Sequence, residues 1–82
     1  MAKLPRLSGK EVIKALSKAG FISVRQKGSH IIMKKEKDNQ HITVVVPNHQ
    51  EIDLGTLLEI IRQSQFTRDE FLKLPEGWYA RW

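Results

Sequence analysis

The sequence contains no cysteine, which excludes disulfide staples and thiolate metal sites. Long apolar stretches are missing too: no run exceeds the length of Val44-Val45-Val46, far short of a membrane span. Glycine is sparse, with five residues and no phosphate-cradling cluster. Gly28 stands alone, and Gly55 falls in the first turn of a predicted helix, so a nucleotide-binding loop is not expected. The three histidines are not paired at helical or strand spacing, and no neighbouring carboxylates complete a ligand set, so no metal centre is expected. A protease-type triad would need an acid to orient a histidine beside Ser29, and none can be named.

Acidic residues are also few, nine against fourteen lysines and arginines, for a net charge of +5. The imbalance is confined to one half. Residues 1–37 hold ten basic and two acidic side chains, whereas residues 38–82 hold four and seven. A basic half on an 82-residue chain is an electrostatic footprint for a polyanion, with nucleic acid the commonest such partner. Excess lysine also keeps small proteins soluble, and charge alone does not separate the two readings. Met1-Ala2-Lys3-Leu4-Pro5 passes directly into polar sequence without a signal-like core, so a cytoplasmic protein with no membrane partner is expected.

Eighty-two residues suffice for one domain, read as 1–74 with an aromatic tail at 75–82. Ser8-Gly9-Lys10-Glu11 has the form of a capping box, and Val12, Ile13, Leu16 and Ala19 follow at helical spacing until Gly20. This predicts a helix over 9–19. Short β-prone segments follow at 21–25, 30–35 and 41–46, the last ended by Pro47. In the first, alternation places Phe21, Ser23 and Arg25 on one face and Ile22 and Val24 on the other. The segment 35–40 reads as a charged hairpin connection containing Asp38-Asn39. Asp53 caps a second helix in which Leu54, Leu57, Leu58 and Ile61 share a face. Thr67-Arg68-Asp69-Glu70 is another capping box, opening a short helix that Pro75 stops. The expected fold is α+β, ordered α-β-β-β-α, with a three-stranded antiparallel meander and helices on one face. That layout is double-stranded-RNA-binding-domain-like, although order alone does not establish function.

The chemistry-bearing residues concentrate in Arg25-Gln26-Lys27-Gly28-Ser29-His30. Histidine both accepts and donates protons near neutral pH. Cleaving RNA requires a base for the 2′-hydroxyl, an acid for the leaving 5′-oxygen, and cations or amides for the charge on phosphorus. His30 suits either proton role, Arg25 and Lys27 would hold phosphate, and Gly28 and Ser29 would position the backbone. The same residues also form a plain tight turn ahead of an ordinary strand histidine. His49, after Pro47-Asn48, is a second candidate because a meander brings the end of strand three beside the start of strand two. The plain alternative is a loop histidine with no special role, and His41 falls at the opposite, solvent-facing end. Lys10, Lys14 and Lys18, at i, i+4 and i+8, form a ridge on the first helix that helix stability does not ask for. It reads as RNA-backbone tracking or as a solvated face. Trp78, Tyr79 and Trp82 crowd the tail, where they would pack on the domain or a partner, or stack on bases.

Taken together, several segments resemble the HicA family of bacterial toxins. They are Leu4-Pro5-Arg6-Leu7-Ser8-Gly9-Lys10-Glu11, Lys18-Ala19-Gly20-Phe21, Gln26-Lys27-Gly28-Ser29-His30, Val44-Val45-Val46-Pro47-Asn48-His49 and the stretch from Gly55 to Gln63. The resemblance covers about residues 4–74 and departs in the aromatic tail after Leu74. It implies the double-stranded-RNA-binding-like fold and an endoribonuclease, an mRNA interferase of a type II toxin–antitoxin system. Such an enzyme cuts mRNA without metal or cofactor, with His30 catalytic. It also implies a HicB-type antitoxin that binds the toxin as a hetero-oligomer and blocks its active site. Two rival readings use the same residues: a non-catalytic RNA-binding module of this fold, and a basic protein-interaction domain.

Overall fold

The computed structural model describes residues 6–74. Pro75 and the aromatic tail 75–82, like the segment 1–5, lie outside the described residues. The capping box is formed: the Ser8 side chain accepts from the Glu11 amide and the Glu11 carboxylate accepts from the Ser8 amide, both at 3.1 Å. Helix α1 runs Gly9–Lys18 and buries Val12, Ala15 and Leu16. Gly20, at φ +101°, takes the left-handed backbone that turns the chain out of the helix.

Three strands follow, β1 Ile22–Lys27, β2 His30–Lys37 and β3 Gln40–Pro47, in sheet order β1-β2-β3 with both pairs antiparallel. The strands are longer than expected. The segment 35–40 is mostly strand, because Asp38 and Asn39 both take positive φ (51° and 64°) and close a two-residue turn. Side chains that tolerate the left-handed region allow this tightest hairpin, whose twist matches the strands. Helices α2 Leu54–Ser64 and α3 Arg68–Leu72 complete the chain, capped by Asp53 and Thr67. The fold is the expected α+β arrangement with a three-stranded antiparallel sheet.

One sheet face carries the core. Ile31 and Met33 of β2 pair with Val46 and Val44 of β3, and these meet Val12, Leu16, Leu57, Ile60, Ile61 and Phe71 in one buried cluster. The buried stripe of α2 runs through Leu57, Ile60, Ile61 and Ser64 rather than Leu54, Leu57, Leu58 and Ile61. The later turns of α2 are the ones that bury against the core, which leaves Leu54 59% exposed at the first turn. Ser64 is buried without loss because its hydroxyl donates to the Ile61 carbonyl at 2.7 Å. At the far end the Lys35 ammonium lies 5.7 Å from the ring centres of both Phe21 and Phe66, which meet edge to face.

Gln63 guards the outer edge of β3, its side-chain oxygen accepting from the Val45 amide at 3.0 Å. Because alternate amides point the same way along a strand, the position of Pro47 would direct its amide off that edge too. A proline is therefore tolerated there, and the ladder continues past it with the Asn48 amide donating to the Ser29 carbonyl at 2.6 Å.

Candidate nucleic-acid interface

The turn between β1 and β2 consists of Gly28 and Ser29 alone, so Lys27 and His30 pair directly across it. Gly28 has φ +60° and nothing within 4 Å of where a Cβ would stand. Glycine is needed there for backbone conformation, not for space, as in the tight hairpin turn that carries glycine at its first central position. The Gln26 side-chain amide donates to the Gly28 carbonyl at 3.1 Å and braces the turn from its own strand.

The two-residue turn places Lys27 and Arg25 beside His30, and a β-bulge separates them from Ser23. Ser23 pairs with Met33, but the next pair is Arg25 with Ile32, leaving Val24 as the extra residue. One inserted residue reverses the facing of everything after it. Arg25 therefore does not share the face of Ser23, as simple alternation predicted. Paired residues lie on the same side of a sheet, so Arg25, Lys27, His30 and Lys34 stand on the side away from the helices. Thr43 and Val45 of β3 continue that row. Apart from the half-buried Ile32 and Val45 and the buried Pro47, it is solvent-facing.

On the helix side, Ser23 and Gln26 share the face of Ile31 and Met33. Helix α1 does not close over β1, all six residues of which are exposed. A groove of about 530 Å³ remains between them. Lys10 and Lys14 project along one wall, Ser23 and Gln26 form the other, and Asn48 closes the end nearest the turn. Ile13, Val24 and Ile31 supply its apolar surface, and Arg25 lies at the rim, where the groove meets the open face.

The expected site residues thus divide. Arg25, Lys27, Gly28, Ser29 and His30 are brought together at one end of the sheet. Lys10 and Lys14 join Arg25 at the groove. Lys18 does not line it: two turns on from Lys10, it lies about 12 Å further along α1. His49 is exposed, two residues beyond Pro47, the β3 partner of His30, and its carbonyl accepts from the Gly9 amide at 2.8 Å. His41 is at the opposite end of the β2–β3 hairpin, its Nδ1 3.6 Å from a Glu36 carboxylate oxygen. Among the described residues no group of three or more His, Cys, Asp or Glu side chains could hold a metal ion.

Asn48, Gln26 and Ser23 were not singled out from sequence. The first two stand next to Pro47 and Lys27, but nothing in their own chemistry marks them; only the groove, which all three line, brings them together.

A family model described as the HicA toxin of bacterial toxin–antitoxin matches residues 9–66. The chain belongs to the HicA toxin family. The match takes in everything from the first turn of α1 to Phe66, and so includes the groove, the Gly28 turn and the Pro47-Asn48-His49 exit from β3. No curated protein and no solved structure gave a significant match. As a HicA toxin the chain is the toxin member of a toxin–antitoxin pair. Among the described residues no helix is long and apolar enough to cross a membrane.

Proposed function

We propose that this HicA toxin is a metal-independent endoribonuclease that cleaves mRNA, with His30 as its catalytic residue. The observation that carries the reading is the pairing of His30 with Lys27 across the Gly28–Ser29 turn, on the face that Arg25 shares. One titratable group stands beside two fixed cations, all exposed to a polymer too large for a closed pocket.

In this reading the 2′-oxygen bonds to phosphorus while the bond from phosphorus to the 5′-oxygen breaks. The 2′-hydroxyl proton passes to a base, and an acid supplies a proton to the departing 5′-oxygen. The products are a 2′,3′-cyclic phosphate and a 5′-hydroxyl end. His30 performs one of the two proton transfers. Lys27 and Arg25 hold the phosphate oxygens as charge builds on them. Gly28 and Ser29 fix the backbone beneath, and the second transfer falls to His49, a lysine or water. A HicB-type antitoxin is the partner, silencing the toxin by covering the His30 face.

The test is incubation of the purified chain with a defined RNA in chelator, with mapping of the new ends. Cyclic phosphate ends from the parent, and loss of cutting by about 10²–10⁴-fold in His30→Ala, support the assignment. Equal cutting by His30→Ala removes His30 from the mechanism, and loss of the parent's activity in chelator removes metal independence.

A further inference from the structure

We propose that the groove between α1 and β1 is a nucleotide-recognition subsite that holds one unstacked base of single-stranded RNA. In this role Gln26 and Asn48 determine which base is accepted. The inference rests on the proposed RNA cleavage at His30 and extends it to an adjoining surface, facing α1, that meets the His30 face at Arg25.

The groove has the size and composition of a ligand site. Its 530 Å³ falls within the range of about 300–1,000 Å³ that small-ligand sites occupy. Its cations stand on two sides, Lys10 and Lys14 on the helix and Arg25 on the strand, while the surface between includes Ile13, Val24 and Ile31. A phosphate flanked by these cations would leave its base against the apolar surface. Charge favours a polyanion over an acidic or neutral small molecule because three cations and no carboxylate line the groove.

Recognition of a base edge requires donors and acceptors together, which a side-chain amide supplies. Gln26 commits one N–H to the Gly28 carbonyl and keeps an amide oxygen for the groove. Asn48 is placed by its own main chain, since its amide donates to the Ser29 carbonyl immediately before His30. The side-chain amide of Gln26 and the main chain of Asn48 are therefore tied to the turn that carries the proposed catalytic histidine. The base they read is held at a constant offset from the phosphate at His30. RNA would pass from the groove around the β1–β2 turn to the open face, so the recognised nucleotide is a neighbour of the cut and not the cut nucleotide itself.

The experiment compares cleavage of a randomised RNA pool by the parent, Gln26→Ala, Asn48→Ala and Thr43→Ala, with every 5′-hydroxyl end mapped. Thr43, on the open face, serves as the comparison. The expected result is that the two amide variants change the base preference at one fixed offset from the cut by fivefold or more, while Thr43→Ala keeps the parental preference. A parental preference with a uniformly lower rate in both amide variants overturns the proposal, as does loss of antitoxin binding alone with unchanged cutting. A second arm measures binding of four homopolymeric oligonucleotides to His30→Ala. An Asn48-dependent order of affinities there supports the subsite even if the parent cuts nothing, which separates failure of this inference from failure of the nuclease reading. Identical affinities with and without Asn48 overturn it.

Discussion

The amide of Gly9 donates to the carbonyl of His49 at 2.8 Å, joining the first turn of α1 to the chain leaving β3. The same exit segment is held from two other directions, by Asn48 to Ser29 and by the Ile52 amide to the Leu7 carbonyl at 2.7 Å. Three otherwise separate stretches, 7–9, 29–30 and 47–52, are thereby fixed into one corner of the molecule. That corner contains the proposed catalytic histidine and one end of the groove.

Gly9 is the most sensitive position in it. A Cβ there would stand 2.8 Å from the Asn48 Cα and 3.1 Å from the His49 nitrogen, and closer still to the Pro47 carbonyl oxygen. All three are main-chain atoms, so nothing can swing aside. Gly9→Ala is expected to cost about 1–3 kcal/mol despite alanine's better helix propensity, read as a lowered urea midpoint. An unchanged midpoint would show that the α1 contact gives way easily.

Gly28 has a different requirement, backbone conformation with open space around it. Gly28→Ala is expected to destabilise by about 1–2 kcal/mol, and Gly28→Asn by less because asparagine visits the left-handed region more readily. Equal losses for both variants in thermal melts would mean that asparagine gains nothing from its left-handed tolerance at this turn.

Replacing His30 tests chemistry with little structural cost, since the side chain is exposed and the turn is formed by Gly28 and Ser29. His30→Ala is expected to keep the parental melting temperature and antitoxin binding while losing cleavage. His49→Ala, in parallel, tells whether the second proton transfer depends on that residue.

The three lysines of α1 are expected to separate. Against single-stranded RNA each phosphate contact contributes about 0.7 to the slope of log affinity on log salt. Lys10→Ala and Lys14→Ala should each reduce that slope, whereas Lys18→Ala, outside the groove, should leave it near the parental value. Equal reductions for all three would mean that RNA follows the whole helix ridge.

Helix caps make the fold acid-sensitive. The Thr56 hydroxyl and amide donate to Asp53 and hold its carboxyl below its ordinary range, and the Thr67 amide and hydroxyl do the same for Glu70. A carboxylate whose pKa is lowered by folding stabilises above its unfolded pKa, and that contribution disappears as pH falls through the folded value. Stability should therefore hold from neutrality to about pH 4–5 and decline below it. Asp53→Asn, which keeps a capping side chain, should flatten the decline. Urea midpoints between pH 6 and pH 2.5 check this, and an identical decline in the variant would place the acid sensitivity elsewhere.

Local chemistry made much of this protein legible in its residues. Ser8 with Glu11, Asp53 with Thr56, and Thr67 with Glu70 act within a single turn, so helix starts could be read without knowing what they pack against. Gly28-Ser29 and Asp38-Asn39 are turn chemistry of the same short range, and His30 drew notice because its ring can move a proton. Strand facing was less secure. Alternation holds only while the register holds, and the extra residue at Val24 comes from pairing with β2, a partner that the residues around Val24 do not encode.

The two-residue turn and the bulge together set the site. The turn places Lys27, and with it Arg25, on the side of His30, and the bulge puts Ser23 on the same side as Gln26, facing α1. The groove depends on α1 settling short of β1, and the role of Asn48 depends on a hydrogen bond to a residue nineteen positions earlier. Residue types and short-range spacing therefore determined the elements and the charge, and marked His30 as a candidate. Which of those side chains share a surface was decided by tertiary pairing, because a shift of one residue costs little locally and reverses every side chain beyond it.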